Sequence, residues 1–298
     1  MNEVSVMSSL TRGAGLIIIA GLTGLTGCGV APAGPAASAG SAAPAASTAA
    51  PPTAGPSAAG AGQADAASRA CPQAGHYLTA VKTGRHDGYD RVVFQFSGGL
   101  PAVSTERVPA VYHDPKGTKI ALAGRSYLHV VFRGASGHCP QPSRPTWTGP
   151  SVLTPYYPQL LTVSAAGDFE SYLSFGIGLA ARGGYHVSRL TRPDRVVIDV
   201  RHVALGKFPG IWDITSWPRY WAVQYAWLNG HQAWRGSPLM VVRAWAASRF
   251  SGTTAVRQVN ASTFRVTEPG GRTDTVTGAR PAGVPGPWVI TKITYGSS

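Results

Sequence analysis

The sequence is poor in acidic residues, in lysine and in cysteine. Its 298 residues carry 26 Lys and Arg but only 13 Asp and Glu, which gives a net charge of +13, and arginine greatly outnumbers lysine. A basic balance of this kind is typical of proteins that meet polyanions. The alternative is that an arginine-rich, alanine-rich composition reflects a GC-rich genome, and the sequence leaves both interpretations open.

Signatures of catalysis and of metal binding are missing. The chain has no GxSxG, SxxK, HExxH or paired-glutamate motif, and its histidines are scattered. His138 and Cys139 are adjacent, but no CxxC or HxxxH spacing of a zinc site accompanies them. We therefore predict no catalytic residue, no cofactor and no metal site, and hence no enzyme. A separate hypothesis is a hydrolase in the C-terminal part, whose activity would depend on His231.

Long apolar runs are absent as well. The run Ala14–Leu22 is far shorter than the roughly 20 residues of a membrane-spanning helix. It follows Arg12 and precedes Leu25-Thr26-Gly27-Cys28, which is the order of a bacterial lipoprotein signal. We expect residues 1–27 to be the signal peptide and Cys28 to be the lipid attachment site, acylated with palmitate. The alternative is a buried helix, but nothing after Cys28 could continue it.

The cysteine count agrees with export. Removing Cys28 for acylation leaves Cys71 and Cys139, and an even pair outside the cytoplasm is a natural disulfide. Two buried free thiols are the alternative. Residues 28–70 are almost entirely Ala, Pro, Gly, Ser and Thr, which cannot bury enough apolar surface to fold, so we predict a disordered linker.

From 71 to 203 the sequence predicts a mainly β domain. Val92, Phe94 and Phe96 face one way and Arg91, Val93 and Gln95 the other, and glycine and proline turns separate short segments. Asp90-Arg91-Val92-Val93 recurs as 194–197, and four strands fall on each side of the proline-rich segment 140–158. This favours two related four-stranded sheets packed face to face as a β-sandwich. The predicted strands cover 77–82, 90–96, 103–111, 127–133, 159–165, 171–177, 185–190 and 194–201.

A family resemblance rests on four stretches in this order: VKTGRHDGYDRVVFQFSGGLP, LHVVFRGA, LLTVSAAGDFESYLSFGIGL and HVSRLTRPDRVVIDV. They resemble the AMIN-like domain of exported lipoproteins in high-GC Gram-positive bacteria, over roughly 77–203. The resemblance implies a β-sandwich of two related sheets. It also implies a role in holding the protein at the envelope by binding peptidoglycan or another wall polymer, without catalysis.

From 204 to 298 the pattern predicts a small α+β domain. An aromatic helix should run from Pro218 to Leu228, end at Asn229-Gly230, and be followed by a helix from Ser237 to about Ser248. Four strands should follow, at 254–259, 262–267, 273–278 and 288–295. This region holds ten basic and three acidic residues, a net charge of +7.

Two groups of residues are candidates for ligand binding. Arg85, His86, Tyr89 and Arg91 place cationic and aromatic groups on one predicted loop and strand start. The alternative is that Asp90 with Arg91, and Asp194 with Arg195, are structural ion pairs. In the C-terminal region the exposed candidates are Trp227 and Trp234, whereas Trp217, Trp221 and Tyr225 fit a helix face packed into a core.

These observations lead to one main functional prediction. The protein should be a lipoprotein on the extracytoplasmic face of the cell membrane, held there by its N-terminal acyl anchor, whose AMIN-like domain binds peptidoglycan or another anionic wall polymer. The alternative is a protein-interaction scaffold that recruits or regulates a wall enzyme as its partner. An exported chain is not expected to meet nucleic acid.

Overall fold

The computed structural model describes residues 71–297. The predicted signal peptide, the lipidation site Cys28 and the predicted linker lie outside the described residues. Residues 71–297 belong to one compact unit. Within that part of the chain, no helix has the length and apolar character needed to cross a membrane.

The first part of the described chain is built from strands, as predicted. All eight predicted strands have a counterpart, and four short strands are added between the fourth and fifth of them. In chain order the strands are β1 (His76–His86), β2 (Tyr89–Ser97), β3 (Ala102–Val108), β4 (Ser126–Arg133), β5 (Ala135–Ser136), β6 (His138–Pro140), β7 (Ser143–Pro145), β8 (Val152–Leu153), β9 (Leu160–Phe169), β10 (Tyr172–Leu179), β11 (Tyr185–Leu190) and β12 (Arg195–Arg201).

These strands form two five-stranded sheets, and the predicted division between them is wrong. The first sheet has the order β11-β12-β2-β1-β5 and the second β3-β4-β10-β9-β8. Each sheet therefore takes long strands from both sides of the segment 140–158, and each has a two-residue fifth strand. The two copies of Asp-Arg-Val-Val fall in β2 and at the start of β12, which are antiparallel neighbours in the first sheet and do not belong to two different sheets.

The two sheets share one hydrophobic core. Alternation along β2 buries Val92, Phe94 and Phe96 and leaves the intervening residues half-buried, as the sequence predicts. Two rings of the second sheet pack against Phe94: the ring centre of Phe175 lies 4.8 Å from that of Phe94, and the ring centre of Phe132 lies 5.0 Å from that of Phe94. Contacts of this kind fix which face of each sheet is turned to solvent.

The predicted disulfide is present. Cys71 and Cys139 are bonded across a sequence separation of 68 residues. Cys139 is fully buried in the short hairpin of β6 and β7, so the bond ties the beginning of the described chain to that hairpin.

The C-terminal region contains the two predicted helices, α1 (Trp217–Leu228) and α2 (Pro238–Arg249). The hydroxyls of Ser216 and Ser237 accept hydrogen bonds from backbone N–H groups in the first turn, and a proline lies within the first two residues of each helix. A 3-10 turn, Ala233–Gly236, joins the two helices.

A four-stranded antiparallel sheet follows α2. It consists of β13 (Ala255–Gln258), β14 (Thr263–Thr267), β15 (Thr273–Ala279) and β16 (Val289–Thr294), in that order. Phe264, Val266 and Val276 on one face form a core with α2, to which the helix contributes Val242 and Trp245. The opposite face of this sheet is turned to solvent.

A separate core joins α1 to the first part of the chain. Trp221 and Tyr220 are buried there together with Leu161 and Ala180, which belong to the second sheet and its end. Gln224 on α1 is fully buried, and its side chain accepts a hydrogen bond from Gly124 N–H at 2.8 Å while donating to Gly124 O at 3.3 Å. The helix is therefore fixed to the β-rich part by packing and by paired polar groups.

Candidate functional site

The candidate site lies on the outer face of the first sheet, at the turn between β1 and β2. Asp87 and Gly88 form a two-residue hairpin loop, and Gly88 has a φ of 77°, which glycine adopts without steric cost. A loop of this length fixes the register, so that His86 lies directly opposite Tyr89. Their rings stack, with centroids 4.7 Å apart and planes 9° from parallel.

Strand β12 completes the site from the other side of β2. Arg201 lies opposite Tyr89, and Asp199 lies opposite Arg91. His186, on β11, lies opposite Asp199. We call this set the Tyr89 face, and it consists of His86, Tyr89, Arg91, His186, Asp199 and Arg201.

Arg91 is fixed within the Tyr89 face. Its guanidinium donates two hydrogen bonds to Asp199, at 2.7 and 2.8 Å, and lies 5.3 Å from the centre of the Tyr89 ring. The hydrogen bond to Asp199 raises the pKa of Arg91, so the guanidinium stays cationic. Because a carboxylate already occupies its donor groups, Arg91 contributes shape and rigidity more than free charge.

The free cation of the Tyr89 face is Arg201. Its side chain is exposed and forms no ion pair with any residue of the described chain. Arg201, Tyr89 and His186 line a cleft of about 640 Å³ with the hairpin loop and Asp199. The geometry offers an anion an exposed guanidinium beside the half-buried Tyr89 ring, on which His86 of the opposite neighbouring strand is stacked.

Arg85 does not belong to this face, although it precedes His86. Both residues lie in β1 and not in a loop, and successive side chains of a strand point to opposite faces. Arg85 instead lines a second cleft, of about 430 Å³, whose other residues include Tyr156, Tyr157 and Trp217. The structure thus brings three of the four predicted residues together and separates the fourth.

The two tryptophan candidates are half-buried and lie in different surroundings. Trp227 lines an apolar cleft of about 340 Å³ with Ile120, Leu122 and Pro285. Trp234 packs against the core of the C-terminal sheet, and the guanidinium of Arg235 lies 4.3 Å from its ring centre. They form no shared platform for a sugar ring.

The core interpretation of the aromatic helix agrees with the structure. Trp221 is buried, and Trp217 and Tyr225 pack against the same core. Trp217 stacks on Trp221 with centroids 5.2 Å apart. The next aromatic residue in the chain, Trp227, lies outside this core.

Neither of the alternative Asp–Arg pairs is formed: Asp90 and Arg91 have other partners, and within the described residues Asp194 and Arg195 form no ion pair. Asp90 is fully buried and accepts hydrogen bonds from the backbone N–H groups of Gln159 and Leu160, while its second oxygen lies 2.8 Å from Nε2 of His202. Arg91 pairs with Asp199. The pairing of neighbours was therefore wrong, because neighbours in a strand face opposite sides of the sheet.

His186, Asp199 and Arg201 were not identified from the sequence. Alternation within the predicted strand 194–201 could have shown that Asp199 faces away from the buried Ile198 and Val200. The position of this strand beside β2 could not be obtained in that way, because pairing between distant strands leaves no local pattern.

No cluster of three or more His, Cys, Asp or Glu side chains within residues 71–297 could hold a metal ion. His231, the base of the hydrolase hypothesis, is exposed, and its backbone N–H bonds to Ala226 O after the end of α1.

Fold and site together define a β-rich domain of two sheets that share a core and expose one polar, aromatic face. Comparison with protein families identifies an AMIN-like domain at residues 76–202. The match runs from the first residue of β1 to the residue after β12, and it contains the whole Tyr89 face. Comparisons with curated proteins and with solved structures gave no match.

Proposed function

We propose that this protein is a lipid-anchored lipoprotein on the extracytoplasmic face of the cell membrane, and that its AMIN-like domain binds peptidoglycan or another anionic wall polymer. The observation that carries the proposal is that the AMIN-like domain contains an exposed cleft with a free arginine beside stacked rings. The protein acts as a binding module and not as an enzyme.

The chemistry of the Tyr89 face fits a glycan that bears carboxylates. The exposed ring of His86, stacked against the ring of Tyr89 on the neighbouring strand, offers a flat surface for the apolar face of a sugar. Arg201 offers a planar fork of N–H donors to a carboxylate on the same strand of polymer. The Arg91–Asp199 pair keeps the two neighbouring strands in register.

The cysteine pattern supports the proposed anchor. Of the three cysteines in the chain, Cys71 and Cys139 are bonded to each other, which leaves Cys28 available for acylation. Anchored by that residue, the folded part would reach the wall through residues 28–70. The anions available there are wall polymers and headgroups and not nucleic acid.

The test is retention of the full chain, purified in mild detergent, on insoluble peptidoglycan at physiological salt. We expect retention well above that of a neutral control protein, and a loss of several-fold on Arg201→Gln. Arg195→Gln is the matched control, because it removes the same charge from the same face of β12 about 20 Å away. The proposal is refuted if wild-type protein is retained no better than the neutral protein.

A second candidate function is the protein-interaction scaffold, and the apolar cleft beside Trp227 favours it. Its lining of Ile120, Leu122 and Pro285 suits an aliphatic side chain of a protein partner better than a sugar. Crosslinking in cells from Leu228 should then recover one wall enzyme stoichiometrically, and Trp227→Ser should abolish the product. Wild-type protein that shows this crosslink but no affinity for peptidoglycan would establish the scaffold in place of the binding module.

A further inference from the structure

The solvent-facing side of the C-terminal sheet carries an unusual arrangement of charge. Since Phe264 and Val266 of β14 point into the core, the residue between them, Arg265, points to solvent. Arg257 of β13 lies directly opposite Arg265 in the antiparallel register. Two exposed guanidinium groups therefore occupy facing positions on neighbouring strands, with Cβ atoms about 5 Å apart.

Like charges in directly opposite positions repel each other, and carboxylates usually relieve such repulsion. None is free to do so here. The three acidic residues of the C-terminal region are all paired: Asp213 with Arg235, and Glu268 and Asp274 with Arg272. Within the described residues, neither Arg257 nor Arg265 has an ion-pair partner, so the sheet maintains an unrelieved pair of cations.

Hydroxyl groups surround these cations. Threonines occupy the outward positions of three strands, and their hydroxyls can donate hydrogen bonds to anionic oxygens. Lys292 of β16 adds a third cation, two strands away from Arg265 and two residues further along, at about 12 Å. We call this surface the threonine–arginine face, and its residues are Arg257, Arg265, Lys292, Thr263, Thr267, Thr273, Thr275, Thr277 and Thr294.

We propose that the threonine–arginine face binds a linear polymer that carries a phosphate in each repeat. The two oxygens of a carboxylate are coplanar and match the fork of one arginine, whereas the two non-bridging oxygens of a chain phosphate lie on a tetrahedral phosphorus and can accept from two guanidinium groups on different strands. The anion would neutralise the facing arginines, and Lys292 would bind a neighbouring phosphate of the same chain.

The shape of the surface favours a polymer over a small anion. The threonine–arginine face is open and extended, as the surface of a sheet is. Salt would screen the attraction between this exposed face and a single small anion. Several phosphates bound at once gain affinity from being linked. This site lies outside residues 76–202, so it is independent of the function proposed for the Tyr89 face.

The test measures binding of long-chain inorganic polyphosphate to the full chain in mild detergent at physiological salt. We expect the double variant Arg257→Gln/Arg265→Gln to lose affinity by at least about tenfold, since two charge-assisted contacts disappear. Arg243→Gln/Arg249→Gln is the matched control. It removes the same charge from exposed positions on α2 in the same region, and should change affinity by less than about twofold.

Thermal unfolding is a second measurement, and it distinguishes a variant that has lost only its binding site from one that is misfolded. Without polymer, the face variant should melt at a higher temperature than wild type, because the repulsion between the facing arginines is gone. With polyphosphate, the melting temperature of wild type should rise and that of the face variant should stay the same.

Three results would overturn the proposal. Equal losses of affinity in the face and control variants would mean that polyphosphate responds only to net charge. If wild-type protein bound polyglutamate as tightly as polyphosphate, the face would have no preference for phosphate over carboxylate. Sedimentation with anionic lipid vesicles that requires the arginine pair, without binding to polyphosphate, would identify a membrane surface instead. Arg201→Gln should leave polyphosphate binding unchanged, which separates this proposal from the peptidoglycan one.

Discussion

Replacing the buried Asp90 with alanine should destabilise the whole β-rich part of the protein. Asp90 is the second residue of β2, is fully buried, and accepts hydrogen bonds at 2.7 and 2.9 Å from two consecutive backbone N–H groups at the start of β9. Its second oxygen meets His202, the residue that follows β12. One carboxylate thus joins the first sheet to the second.

The cost follows from the groups that the substitution would leave without a partner. Alanine has no acceptor, so the N–H groups of Gln159 and Leu160 would each remain buried and unpaired at about 1 to 3 kcal/mol. His202 is half-buried and can turn towards water, so the loss of its partner adds less to the cost in stability. We expect the free energy of unfolding to fall by about 3 to 5 kcal/mol, which is typical for the loss of one partner from a buried polar network.

The repeated Asp-Arg-Val-Val provides a matched control within the same protein. Asp194 occupies the corresponding position before β12, is half-buried, and takes part in a hydrogen bond through its backbone oxygen, which accepts from Phe96 N–H. Asp194→Ala should cost no more than about 0.5 kcal/mol. Urea denaturation followed by tryptophan fluorescence and by far-UV circular dichroism measures both variants. Equal stability of the two variants would refute the role assigned to Asp90.

Three further predictions concern other parts of the fold. Reducing the Cys71–Cys139 bond should lower the free energy of unfolding by about 4 kcal/mol in the chain-entropy model, measured by urea denaturation with and without reductant. Gln224→Leu should lower the free energy of unfolding by about 1 to 3 kcal/mol, because it leaves the N–H of Gly124 buried without its acceptor. Urea denaturation would show this loss as a separate unfolding transition for α1, and unchanged stability would contradict the role given to this contact. Burial raises the pKa of Tyr220 to about 12, so the folded protein keeps a proton that the unfolded chain releases near its usual value of 10. This contribution to stability is present below pH 10 and is lost between pH 10 and about 12; Tyr220→Phe should weaken that decline in alkaline denaturation curves, and identical curves would contradict it.

Strands and helix ends could be predicted because residues close together in the sequence determine them. Strands followed from alternation, as along Val92, Phe94 and Phe96. The end of α1 followed from Asn229-Gly230, and the start of α2 from Ser237 and the proline after it, whereas the cap of α1, Ser216, was not predicted. The division of strands between sheets was not accessible in this way. It depends on pairing between β2 and β12, which are about a hundred residues apart, and no periodicity encodes such a contact.

The candidate site shows the same difference on a smaller scale. His86 and Tyr89 come together because a two-residue turn fixes their register, and the Asp-Gly sequence of that turn is visible in the chain. Arg85 was grouped with them because it is adjacent, and strand geometry turns it to the other side of the sheet. Arg201 was missed because its neighbour Tyr89 is distant in sequence.

The excess of arginine over lysine admits two explanations, and the threonine–arginine face allows a direct test between them. If the bias reflects only genome composition, lysine should replace arginine without consequence, since both carry one positive charge. If Arg257 and Arg265 bind phosphate, the replacement should matter, because lysine is a point charge and lacks the planar fork of donors. The variant Arg257→Lys/Arg265→Lys keeps the net charge at +13. We expect it to bind polyphosphate several-fold more weakly than wild type, with the same melting temperature in the absence of polymer. Undiminished affinity of the lysine variant would show that charge alone is recognised, and would leave composition as the reason for the arginines.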